Sequence, residues 1–214
     1  MNNTTDIVMI FLVLTNLTLL GLSRLGTCIR IVAVQGMVLG LLPLLLNGWN
    51  LEFHLIFFSV AIITLKGIVF PWMLRKTLRE LNTHREIEPF IGYGTSIALG
   101  TVIFVICMWL SSRLSLPVAT TSTRIVPVAF FTIMSGLFLI ISRKKAITQV
   151  LGYLVMENGI YIFGVALVEK QPILVELGIL LDVFVAVFVM GITMFHINRE
   201  FNHIDTDRLS RLKV

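Results

Sequence analysis

The chain has 214 residues, 57% of them hydrophobic and only 14% charged, with a mean hydropathy of +0.94. A soluble domain is about one-quarter charged, so this composition excludes an ordinary water-soluble protein and describes an all-α polytopic membrane protein. The net charge of +5 would suggest nucleic acid in a soluble protein, but the basic residues here lie in short segments between apolar runs, where they report membrane topology instead.

Seven transmembrane helices are predicted, at about 7–23, 30–47, 53–73, 91–111, 125–141, 147–167 and 173–195. Met1 to Asp6 carries no positive region and no small-residue cleavage site follows the first run, so the first helix is expected to stay in the protein. Positive charge gives an independent check on the span assignment. Of the 17 Lys and Arg residues, one side collects Arg24, Arg30, Arg75, Lys76, Arg79, Arg85, Arg143, Lys144, Lys145, Arg199, Arg208, Arg211 and Lys213. The other side holds only Arg113, Arg124 and Lys170, and Lys66 lies inside a span. This asymmetry predicts an amino terminus outside and a carboxyl terminus in the cytoplasm.

In the second span, Gly36 and Gly40 form a small-xxx-small pair suited to close helix packing. Cys28 and Cys107 are predicted near opposite faces of the bilayer, too far apart for a disulfide. The third span carries Lys66 somewhat past mid-membrane. Pro71, five residues on, lacks the N–H that would bond the Gly67 carbonyl and so loosens the turn beside that charge. Trp49, Trp72 and Trp109 fall at span ends, as interfacial anchors do. The four histidines lie at helix ends and in loops. Without Cys-x-x-Cys, a His pair at helical spacing or a Gly-rich phosphate loop, nothing points to a metal, haem, iron–sulfur cluster or nucleotide held by this chain.

The sixth span carries Glu157, with Gly152 and Gly159 seven apart for packing or for the passage of water. The seventh carries Asp182, about 13 Å in at ~1.5 Å rise per residue. Two carboxylates at one depth on consecutive antiparallel helices suggest a proton or cation pathway titrating as a pair, with Lys66 biasing it. At ~10 Å and an effective dielectric of 20, such a bias is worth about 1.7 kcal/mol. Glu176 is a secondary candidate. Sliding the sequence by 116 residues superposes Gly36 on Gly152, Lys66 on Asp182, Thr77 on Thr193 and Asn82 on Asn198, the pattern of a parallel three-helix duplication. The expected units are 1–90, a linker helix with its outer loop over 91–124, and 125–214.

The segments Gly152-Tyr-Leu-Val-Met-Glu-Asn-Gly159 and Leu177-Gly-Ile-Leu-Leu-Asp182-Val-Phe-Val-Ala-Val, with the tail His203-Ile-Asp-Thr, resemble subunit K of respiratory complex I. The C subunit of multisubunit cation/proton antiporters looks similar over the same region. Asp182 matches the third-helix acid of subunit K. The family's usual second-helix glutamate aligns nearer Leu154, one turn before Glu157 and on roughly the same face. The whole layout, including Thr64-Leu-Lys66, is similar to hydrogenase-4 component E, a membrane subunit of group 4 nickel–iron hydrogenase and formate hydrogenlyase-type complexes.

That resemblance implies an integral subunit of an ion-pumping arm in a bacterial or archaeal cytoplasmic membrane, not an enzyme by itself. Its implied partners are antiporter-like and complex I H-like membrane proteins and peripheral hydrogenase subunits carrying the nickel–iron and iron–sulfur centres. A redox-free antiporter subunit and a purely structural scaffold are the alternatives.

Overall fold

The computed structural model describes residues 2–46, 53–80, 90–114 and 124–167. Its elements are α1 (Asn2–Gly21), α2 (Leu25–Leu46), α3 (Phe53–Thr64), a π-helical turn (Leu65–Val69), α4 (Phe70–Glu80), α5 (Tyr93–Arg113), α6 (Ile125–Ser142) and α7 (Ala146–Leu167). The described residues are all-helical, as expected where no water is at hand to satisfy backbone N–H and C=O groups.

Four of these helices are long and apolar enough to cross a bilayer, at Thr4–Gly21, Leu25–Leu45, Tyr93–Arg113 and Ile125–Ser142. The run from Phe53 to Glu80 is divided by the π turn. The 22-residue α7 carries Gln149, Glu157 and Asn158 within its apolar sequence. The predicted seventh span, with Glu176 and Asp182, lies outside the described residues.

Helix ends differ from the sequence expectation in ways the side chains explain. The third run continues past 73 because α4 is amphipathic: Leu74 and Leu78 are buried while Arg75, Lys76 and Arg79 are exposed, so one face stays packed on the bundle as the other turns polar and the helix does not unwind. Hydroxyls inside apolar helices bond back to the preceding turn, Thr18 to the Leu14 carbonyl, Thr64 to Val60 and Thr132 to Val128, each at 2.7 Å. Trp72 and Trp109 are exposed, in keeping with an interfacial role, and both cysteines are free and buried.

Glycines set the closest packing. A methyl on Gly152 would lie 2.8 Å from the Gly136 carbonyl oxygen, and one on Gly159 would lie 2.6 Å from the Ile133 backbone N. α6 and α7 therefore meet backbone to backbone, and Gly159 serves packing here, with α6 filling its open side. Gly40 likewise admits Ile63 of α3.

Arg143, counted from sequence among the basic loop residues, is almost wholly buried. Its Nη2 donates to the Leu20 carbonyl at 2.6 Å and its Nη1 to the Ile91 carbonyl at 3.4 Å, and its guanidinium lies 4.6 Å from the centre of the Tyr93 ring. It thus satisfies a carbonyl at the C-terminal end of α1, which has no intrahelical donor, and ties the ends of α1 and α6 to the start of α5. At the opposite end, Arg124 and Asp6 pair at 3.6 Å. The end carrying Arg143, Lys144 and Lys145 is the basic end of the bundle.

The apolar core is split in two across the helix axes. Toward the basic end, one cluster gathers Leu19, Leu20, Ile29, Val32, Phe70, Leu74, Leu151 and Leu154 among others. Toward the other end, a second gathers Met9, Leu12, Leu39, Leu42, Ile62, Ala129 and Ile162 among others. Between them, at one depth, lie buried Asn16 of α1, Gln35 of α2, Lys66 of the π turn, Thr132 and Ser135 of α6, and Glu157 and Asn158 of α7.

Candidate functional site

The charged part of this layer is built by the π turn and α7. Lys66 is 6% exposed and Glu157 2%, and Nζ lies 2.7 Å from Glu157 Oε1. The same Nζ donates to Asn158 Oδ1 at 3.1 Å and sits 5.5 Å from the centre of the Tyr161 ring. Tyr161 is one helical turn beyond Glu157, so carboxylate and aromatic face reach the ammonium from one side of α7.

Two backbone features place the ammonium there. The Phe70 N–H bonds the Leu65 carbonyl, one residue further back than in an α-helix, and Pro71 brings no N–H to the next position. The loosened turn expected from Pro71 is thus a π turn, the local widening that recurs at functional sites. A methyl on Gly36 would lie 2.5 Å from Lys66 Cβ. Only a residue without a side chain lets the root of Lys66 rest on α2, from which its tip spans to α7.

Lys66 faces the protein interior, against α7. The sequence expectation of a remote bias on Glu157, across ~10 Å, is corrected to direct contact. The two residues are 91 positions apart, so spacing alone offered no sign of the pair. Asp182 and Glu176 lie outside the described residues, and the geometry of a Glu157–Asp182 relay with them.

Such a pair has a defined energetic character. Burial penalises each charge heavily, and mutual attraction with added hydrogen bonds offsets this only while both partners are present. Glu157 Oε2 is buried with no hydrogen-bond partner among the described residues.

The neutral part of the layer joins α1, α2 and α6. Asn16 Nδ2 donates to Thr132 Oγ1 at 2.9 Å, and Gln35 Nε2 donates to Asn16 Oδ1 at 2.9 Å and to Thr15 Oγ1 at 2.7 Å. Gln35 Oε1 and Ser135 Oγ are buried with no hydrogen-bond partner among the described residues. Sequence reasoning that looked for charges passed over these residues and Asn158. The signal was present, since a lone amide within an apolar span must find an interhelical partner.

Residues 125–214 match the family model for NADH-ubiquinone/plastoquinone oxidoreductase chain 4L. Over 203 residues, covering 94% of this chain and 92% of the relative, the sequence is 29% identical to an uncharacterized protein of Mycobacterium tuberculosis. Over 160 residues, covering 75% of this chain and 74% of the relative, it is 28% identical to hydrogenase-4 component E of Escherichia coli and of Shigella flexneri. No solved structure matches the chain. The resemblance read from the sequence therefore holds: the chain is similar over three-quarters of its length to hydrogenase-4 component E, and its C-terminal portion carries the chain 4L signature that corresponds to complex I subunit K.

Proposed function

We propose that the protein is a multi-pass membrane subunit of an energy-converting complex of the hydrogenase-4 or formate hydrogenlyase type, and that it contributes intramembrane charges to proton or cation translocation driven by redox chemistry in its partners. The likeness to hydrogenase-4 component E and the chain 4L match support the membrane-subunit assignment. The observation that carries the translocation role is the buried ion pair of Lys66 and Glu157, 2.7 Å apart, at a π turn in mid-bundle. A charge pair buried among apolar helices is costly and marks ion pathways.

On this reading the run from Phe53 to Glu80, α7 and the segment 173–195 also cross the membrane, with the amino terminus outside and the carboxyl terminus in the cytoplasm. Asp182 then supplies the second carboxylate of a relay with Glu157. The nickel–iron and iron–sulfur centres reside in peripheral partners, and antiporter-like and complex I H-like membrane proteins flank the chain. The hydrogen bond from Asn16 to Thr132, 116 residues apart, supports the parallel duplication, because residues at equivalent positions of two repeats meet where a pseudo-twofold axis passes.

Neutral variants provide the test. Glu157→Gln and Asp182→Asn should each leave the complex assembled and able to turn over electrons while lowering the protons moved per turnover in sealed vesicles. Normal translocation by both variants in an intact complex contradicts the relay.

A further inference from the structure

Beside the ion pair lies a small cavity that the charge pair does not itself require. It has a volume of about 10 Å³ and is lined by Ile29 and Val32 of α2, Lys66, Phe70, Pro71 and Leu74 of the third run, and Leu154 and Asn158 of α7. That is about the room one water occupies. Lys66 and Asn158, 6% and 2% exposed, turn their polar atoms to each other at 3.1 Å, so the lining of the cavity is almost wholly apolar and excludes water as it stands.

The position of the cavity is informative. Phe70 and Leu74 follow Lys66 toward Arg75, Lys76 and Arg79; Leu154 precedes Glu157 on the side of Lys144 and Lys145; Ile29 and Val32 lie near Arg24 and Arg30. Every apolar wall thus stands between the charged pair and the basic end. From Lys66 to Leu74 is about 12 Å along the helix at 1.5 Å per residue, a gap of several waters, and the side chains of Ile29, Val32, Phe70, Leu74 and Leu154 fill it, each buried. The π turn and Pro71 form one wall, where the backbone is already released from regular α-helical bonding.

We propose that this cavity is the dry inner end of a proton inlet, and that Val32, Leu74 and Leu154 form a hydrophobic gate whose wetting lets water from the basic end reach Lys66 and Glu157. An apolar collar closes such a path by excluding water and opens it when the walls part slightly. The inlet rests on the translocation role proposed above. It adds the side from which the pair is reached and the residues that control access.

The experiment uses the whole complex in sealed vesicles, with variants that act in opposite directions. Leu154→Phe fills the cavity and should slow proton-coupled turnover about tenfold, equivalent to about 1.4 kcal/mol on the barrier. Leu154→Met, close in volume, should leave the rate near normal. Leu74→Asn and Leu154→Asn wet the collar and should raise passive proton leak several-fold in the absence of turnover. Lys66→Met measured alongside separates the two claims. If Lys66→Met slows pumping while all collar variants assemble, pump and leak as the native complex does, the inlet is overturned and the translocation role stands. If Lys66→Met is also without effect, both fall. Should Leu154→Phe fail to assemble, the leak of the Asn variants decides: native leak overturns the gate, and raised leak supports it.

Discussion

The two parts of the mid-depth polar layer solve the same physical problem with different chemistry. Between α1, α2 and α6, Asn16, Gln35, Thr15 and Thr132 hydrogen-bond one another as neutral groups at 2.7 to 2.9 Å. Between the π turn and α7, Lys66, Glu157 and Asn158 do so with full charges. Neutral interhelical hydrogen bonds in membranes contribute about 0.6 kcal/mol each and rarely exceed ~1.7, enough to fix register and depth. Removing one partner of a buried charge pair costs about 3–5 kcal/mol. The neutral part fixes packing; in the proposed function the charged part is the one that changes state.

The largest expected effect that sharpens this contrast comes from Lys66→Met. It should lower proton-coupled turnover at least about tenfold, or 1.4 kcal/mol in barrier terms, with the complex assembled. Lys66→Arg should keep part of the rate, since charge persists in a different geometry. Vesicle proton uptake with native gel analysis of assembly separates a translocation defect from a folding one.

Gly36→Ala should come next. The new methyl meets Lys66 Cβ at 2.5 Å, so the third helical run must retreat from α2 and carry the ammonium with it. A several-fold loss of proton-coupled turnover is expected, smaller than that of Lys66→Met. A native rate would show that the placement of Lys66 tolerates a shift.

Gln35→Leu and Asn16→Val probe the other half of the comparison. Each should cost about 1 kcal/mol, seen as a fall of roughly 2–4 °C in thermal midpoint, with proton-coupled turnover within about twofold of native. Losses as large as that of Lys66→Met would merge the two parts into one conducting path. The smallest effect is expected at Arg124→Gln: its partner Asp6 is 3.6 Å away and both are partly exposed, so stability should stay within about 0.5 kcal/mol.

What the sequence revealed follows from range. Apolar run length announced helices, and the lone charges Lys66 and Glu157 stood out as soon as the runs were marked. Pro71 pointed to a loosened turn beside Lys66, though not to π geometry, which depends on how Gly36 and Glu157 draw Lys66 inward. The pair itself joins residues 91 positions apart and was invisible to local spacing. Gly136 became meaningful only opposite Gly152, and Arg143 looked like any loop arginine until the ends of α1 and α5 arrived around it. Asn16, Gln35 and Thr132 were legible as polar residues in apolar spans, but their shared depth with Lys66 emerges from packing.

The most direct measurement of the central claim is proton translocation by the double variant Lys66→Met/Glu157→Gln, in the assembled complex in sealed vesicles. Removing both charges together leaves no unbalanced partner, and apolar or neutral replacements of a buried pair are often tolerated structurally. If the pair serves translocation, this complex assembles and transfers electrons but moves protons at a small fraction of the native ratio per turnover. If it assembles and pumps at the native ratio, the pair is a structural clasp and the account is contradicted.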